Sequence, residues 1–204
     1  MTEESLTDVE AWAGAHDFKP SDEQISGATP LLRLGELDTT DDAYKGTIDK
    51  HEAWLAEFSI GSPNFTADLG GDGLIEEAFT LFLVSVDASR WPQLTVHPSH
   101  YPDHDLIRRA FHVDHRVHTV SPVMDARYRV LAATETPDEQ LDELFTPELI
   151  AWWLAQDPEI SVDIEDHGER GGYLTVAHHG LGLDASALNQ LFEQTRRMLA
   201  AFVP

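Results

Sequence analysis

Tyr44-Lys45-Gly46-Thr47-Ile48-Asp49-Lys50-His51-Glu52-Ala53-Trp54-Leu55-Ala56-Glu57-Phe58-Ser59-Ile60 decides the fold class of this chain. Trp54, Ala56, Phe58 and Ile60 alternate with Leu55, Glu57 and Ser59, the two-residue period of a half-buried strand. Tyr44 to Ile48 reads as a second strand, joined to the first too tightly for a crossover, so the two are antiparallel. Ala78 to Val86 carries apolar residues on both parities and reads as a central strand. Leu94 and Val96 form a shorter one after Trp91-Pro92. His112 to Val120 and Arg127 to Ala132 read as a strand pair, with Tyr128 and Val130 facing one way. Ile160, Val162 and Ile164 alternate, and Leu174 and Val176 return after the glycine-rich loop at 168–172, a hairpin signal.

Helices flank these strands. Leu6 to His16 places Val9, Trp12 and Ala13 on one face, with Thr7 as cap and Glu10 three residues on. Residues 17–30 are turn-rich, and Leu31, Leu32, Leu34 and Leu37 lead into the domain. Pro102-Asp103 opens a helix to about Ala110, with Pro early and an acid in the first turn. Thr136-Pro137-Asp138-Glu139 reads as a capping box, and Thr146-Pro147-Glu148 repeats the start signal. The second Pro divides the segment into helices at about 137–145 and 147–156, with Leu149, Trp152 and Trp153 as the buried face. Asp184 caps a final helix whose stripe is Leu188, Leu191, Phe192, Leu199 and Phe202, with Arg196 and Arg197 toward its end.

This order predicts an α+β fold: a mainly antiparallel curved sheet with strand–strand–helix units and a C-terminal helix packed on it. Residues 1–30 are expected to be an N-terminal helix and linker, and 31–204 a single α+β domain. Segments 112–156 and 160–202 share a strand–strand–helix order without sequence similarity.

The 204 residues carry 37 acids and 13 bases, a net charge of −24, and no cysteine. Cysteine-based metal sites, thiol nucleophiles and disulfides are excluded. The acidity excludes general nucleic-acid binding, which needs clustered Lys and Arg. Residues 1–90 hold a net −14 and residues 135–204 a net −11, whereas residues 91–134 sum to +1. That near-neutral band holds six of the eleven histidines. The chain opens on acidic Met1-Thr2-Glu3-Glu4, without the basic start of a secretory signal. Its longest apolar-rich runs, Phe79 to Val84 and Leu149 to Ala155, fall short of the ~20 residues that span a bilayer. The expectation is a cytoplasmic chain with no direct membrane insertion.

His97, His100, His104, His112, His115 and His118 are the candidate metal ligands, since imidazole suits zinc and iron sites. His97-x-x-His100-x-x-x-His104-Asp105 is closely spaced. On a strand, however, His112 and His118 point opposite to His115, and surface histidines are the plainer reading. As a group they would also turn the band positive below pH ~6.5. His167, His178 and His179 read as loop residues at the turn ends of the last hairpin. Gly70-Gly71-Asp72-Gly73 lacks the lysine and helix of a phosphate loop, and neither a nucleophile elbow nor Ser-x-x-Lys is present. Trp12, Trp54, Trp91, Trp152 and Trp153 read as core.

Three stretches carry a family resemblance. They are Trp12-Ala13 to Phe18 with Pro30-Leu31-Leu32-Arg33-Leu34-Gly35 and Gly46, then Trp91-Pro92-Gln93-Leu94-Thr95-Val96-His97-Pro98, then Met124-Asp125-Ala126-Arg127-Tyr128-Arg129-Val130 with Leu144 to Leu154. Together the chain resembles a family of uncharacterised actinobacterial proteins. Members tend to show a Phe-Asn-Arg-Tyr-Arg-Val-like phrase in the third stretch, from which Met124-Asp125 and the dense histidines depart. The resemblance implies a fold and a source and carries no activity, cofactor or site.

The functional expectation is a non-enzymatic interaction or self-association module, homo-oligomeric or bound to a protein partner through residues 91–134, because charge-depleted patches form interface cores. The alternative is a metal-binding protein or metal-dependent hydrolase using the histidines from His97 to His118. A third reading is a small-ligand binder in a pocket of the sheet near Trp54 and Phe82.

Overall fold

The computed structural model describes residues 8–22, 43–62, 75–87, 93–100, 115–133, 136–156, 159–166 and 172–202. Strands β2 (Ala43–Ile48) and β3 (His51–Ser62) form the expected antiparallel hairpin. Asp49 and Lys50 join them with φ of 46° and 78°, the left-handed pair whose twist matches a two-residue hairpin. Strand β4 (Ile75–Val86) continues the meander, and β1 (Lys19–Pro20) pairs with the other side of β2.

The chain then skips. Strand β5 (Leu94–Pro98) does not pair with β4. The gap between them is filled by a hairpin from much later in the chain, β8 (Ile160–Asp166) and β9 (Gly172–His179). Beyond β5 lie β7 (Tyr128–Ala132) and β6 (His115–Val117), giving the order β1-β2-β3-β4-β9-β8-β5-β7-β6 with every pair antiparallel. The class is α+β, as the element order predicts.

Register builds one apolar row across eight of these strands. Tyr44, Leu55, Phe82, Val176, Val162, Val96, Val130 and Val117 are successive partners, and all lie in one hydrophobic core. Each such side chain contributes roughly 1.5–3 kcal/mol when fully buried. Helices cover this face: α1 (Asp8–Ala15), α2 (Pro122–Arg127), α3 (Asp138–Leu144), α4 (Pro147–Leu154) and α5 (Ala185–Phe202). Helix α5 packs on β9 and β4 and carries α1 on its flank. Trp12 fastens the two helices, donating its indole N–H to Asn189 at 2.8 Å and meeting Phe82 and Phe192 edge-on. Val9, Trp12, Ala13 and Phe18 belong to the same core as the sheet.

The caps follow the sequence in two cases. Asp184 accepts the Ala187 amide at 2.8 Å, and Thr146 accepts the Leu149 amide at 3.2 Å. Arg127 closes the far end of α4, donating to the Leu154 and Gln156 carbonyls at 2.7 and 2.8 Å while paired with Glu159. Such carbonyls otherwise lack partners.

Other expectations are corrected. Pro137 is the N-cap of α3, not its first residue, and no side chain caps that helix; the Thr136 amide bonds instead to Ala133. The expected strand to Val120 stops at Val117. Thr119 gives both its amide and its hydroxyl to Asp125 at 2.9 Å, and Ser121 caps the unforeseen α2, so local polar bonds pull the chain out of the ladder. Trp152 is only partly buried. Arg196 turns to Asp49 and Glu193 rather than to the helix end. His178 and His179 are the last residues of β9, not loop. Thr7, Trp91, His167 and the helix expected from Pro102 lie outside the described residues.

Gly46 sits where a Cβ would come within 2.7–2.8 Å of the Phe18 ring. Gly46→Ala is expected to destabilise the fold by roughly 1–3 kcal/mol through overpacking, read as a lowered midpoint in urea denaturation. Restoring wild-type stability in a Gly46→Ala, Phe18→Leu double variant would locate the clash at this contact.

Candidate functional site: a buried polar row at the seam of the sheet

The second face of the sheet carries a different row, one residue out of step with the first. Lys45, Trp54, Leu83, Thr175, Asp163, Thr95 and Leu131 are successive partners on β2, β3, β4, β9, β8, β5 and β7. Its centre is the unusual part. Asp163 and Thr95 are each 3% exposed and Thr175 is 0% exposed. Strand β8 looks half-exposed in sequence, since Ser161, Asp163 and Glu165 alternate with Ile160, Val162 and Ile164. Both of its faces are buried.

Buried polar groups are nearly always hydrogen-bonded, and several in this protein are. Thr80 donates to the Gly180 carbonyl at 2.9 Å, Thr195 to the Leu191 carbonyl at 2.8 Å, and Gln194 to Gln156 at 3.0 Å. The central row differs. Asp163 Oδ1, Thr95 Oγ1 and Thr175 Oγ1 are buried without a hydrogen-bond partner, and so is the indole nitrogen of Trp54. Facing carbon atoms on neighbouring strands lie about 4.5–5.5 Å apart. Thr95 and Thr175 flank the Asp163 carboxyl from the two neighbouring strands, and Thr95 is near enough to act on it.

Burial pushes the Asp163 carboxyl up to about 7. Thr95, close enough to favour the ionised form, opposes the shift, and the like charge of Glu165 adds to it. A strongly perturbed acid among unsatisfied polar groups is a recognised mark of a functional site. Glu165, Tyr173, His97 and Arg129 share this face, with His97 opposite Arg129 and Glu165 opposite Tyr173. Trp54 and Tyr173 meet edge-on, and Lys45 Nζ stands 4.9 Å from the Trp54 ring centre.

The histidine band is dispersed where it is described. His97 is buried on β5, its Nδ1 3.3 Å from the Pro98 carbonyl. His100 is exposed and its Nδ1 lies 3.2 Å from Glu159. His118 is exposed and lies 3.3 Å from Asp125. His115 opens β6 opposite Ala132. His104 and His112 are outside the described residues. Among the described residues no three His, Asp or Glu side chains gather into a group that could hold a metal ion. A pocket shared by Trp54 and Phe82 does not form on one face, because Trp54 pairs with Leu83 while Phe82 pairs with Leu55, and alternate residues point to opposite sides.

No family model, curated protein or solved structure matches this chain. No helix among the described residues is long and apolar enough to cross a membrane.

Asp163 makes a signed prediction. Below its ordinary value of 3.8 the carboxyl is protonated in both folded and unfolded chains. Between 3.8 and about 7 the unfolded chain releases the proton and the folded chain keeps it, so stability falls as pH rises. The loss has a ceiling on the order of 4 kcal/mol. Asp163→Asn removes this slope and leaves Glu165, His97 and Arg129 in place. Urea denaturation at pH 5 and pH 8 is expected to show wild type losing stability relative to Asp163→Asn. Parallel behaviour of the two proteins would refute the assignment.

Proposed function

We propose that this chain is a non-enzymatic interaction module that associates with a second copy of itself through residues 91–134. The observation that carries the reading is at the end of the sheet. Among the described strands β6 is the last in the order, and the turn after it and the first turn of α2 expose Val120 and Val123 at 71% and 63%. Edge strands offer backbone donors and acceptors for pairing, and exposed aliphatics beside one supply area to bury.

Charge supports the same region. Two copies at −24 each repel, and self-repulsion is weakest where the surface charge is least. The segment from 91 to 134 is the stretch that sums to +1. Residues 1–90 and 135–204, at −14 and −11, disfavour other approaches. The resemblance to uncharacterised actinobacterial proteins assigns no chemistry and is in keeping with a module of this kind.

Sedimentation over a concentration series is expected to show a monomer–dimer equilibrium that strengthens with salt, as ions screen the acidic surfaces. Val120→Asp with Val123→Asp is expected to weaken the dimer at least about tenfold. A strict monomer at every concentration and salt would sink the reading.

A further inference from the structure

Strands β8 and β9 and helix α5 follow one another in sequence and stay together in the fold, with β8 paired to β9 and α5 packed on β9. The rest of the chain holds a slot for this unit. One wall is β4, whose residues from Phe79 to Val86 pair with β9. The other is β5, whose residues from Leu94 to Val96 pair with β8. Helix α5 adds the Trp12–Asn189 hydrogen bond and the Arg196–Asp49 ion pair to the same body. A second copy of the chain carries the same unit and makes the same contacts in the slot. Only residues 155–159, between the end of α4 and the start of β8, must change path between an internal and an exchanged arrangement. Exchange of an identical element is a low-cost route to dimers for this reason.

Gln156 holds that connection in a turn, through its backbone and its side chain together. Its backbone amide donates to the Trp153 carbonyl at 3.1 Å and its side-chain amide to the Trp152 carbonyl at 2.6 Å, both on α4. Its carbonyl accepts from Arg127 at 2.8 Å, and its side-chain oxygen from Gln194 of α5 at 3.0 Å. Ala155 before it is helical, with φ −88° and ψ −6°. A connection that straightens to reach another body gives up the bonds from Gln156 back to α4. We infer that β8, β9 and α5 form an exchangeable unit, that two copies of this chain dimerise by each filling the β4–β5 slot of the other, and that the turn at Gln156 is the latch favouring the internal arrangement. This dimer is separate from association at the β6 edge and does not depend on it.

The test compares the full chain with its Gln156→Pro variant, both carrying Val120→Asp and Val123→Asp so that the β6 edge does not contribute. Proline at 156 disfavours the helical backbone of Ala155 and removes the amide that bonds to Trp153, so it straightens the connection. Both chains also carry Ser85→Cys and Tyr173→Cys, a register pair across the β4–β9 seam, in a sequence with no other cysteine. Each is unfolded in urea and refolded at about 1 mM, where a second copy competes with an internal unit whose effective concentration is also of mM order. Each is then diluted, sedimented, oxidised and run on a denaturing gel. Gln156→Pro is expected to raise the dimer fraction at least about tenfold. That dimer persists on dilution, because parting requires unfolding, and its disulfide links two chains. Gln156→Ala keeps the backbone bonds and loses those of the side chain, so a rise of about 2- to 10-fold is expected; it decides the matter if Gln156→Pro does not fold. A dimer fraction at the reference level in every folded variant overturns the proposal, as does a dimer whose disulfide stays within one chain.

Discussion

The sheet is continuous because of one insertion. Strands β1 to β4 form a meander and β5, β7 and β6 form a second group, and no strand of the first bonds directly to a strand of the second. The β8–β9 hairpin joins them, bonding to β4 through β9 and to β5 through β8. Its partners lie far away in sequence: Leu81 pairs with Ala177 and Leu94 with Ile164. Contacts of that separation carry a large loop-closure cost and form slowly. The apolar row of the first face therefore becomes complete only when the C-terminal third of the chain arrives.

The same hairpin explains the polar row. Strand β8 has neighbours on both sides, β9 and β5, and β4, beyond β9, is apolar on both faces in its middle. Leu81 and Leu83 are buried on one side of β4, and Phe82 and Val84 on the other. The second face is a buried environment across the middle of the sheet, and Ser161, Asp163 and Glu165 of β8 are drawn into it. Ionising Asp163 there costs stability. The seam that joins the two halves thus also holds the buried Asp163 carboxyl.

Much of the local structure was legible. The alternation of Trp54 to Ile60 and of Ile160 to Ile164, the double-parity run at Ala78–Val86, and the caps at Thr146 and Asp184 act through neighbours a few residues away. Sequence displays such interactions directly. Helix α2 was hidden because its cause is a side chain reaching back, Asp125 to Thr119, across a stretch whose β-branched residues favour a strand. The Asp163 site was hidden for a different reason. With 37 acids in the chain, one more carboxylate on an alternating strand looks like a solvent-facing residue. The available clue was that β9, its hairpin partner, carries Val176 and Ala177 side by side, so the face opposite Val176 was also due to be buried. The histidine band misled in the opposite direction. Its density in sequence was conspicuous, yet His97, His100 and His118 meet three different partners.

Sequence by itself determined the periods, the caps, the antiparallel sense of the tight hairpins and the division of charge, since each depends on residues within one or two turns of chain. Tertiary structure alone decided the strand order, the burial of both sheet faces and the environment of Asp163. These depend on which distant segment fills the gap beside β4. A pattern with period two states which residues share a face, and only the packed neighbours state whether that face is wet.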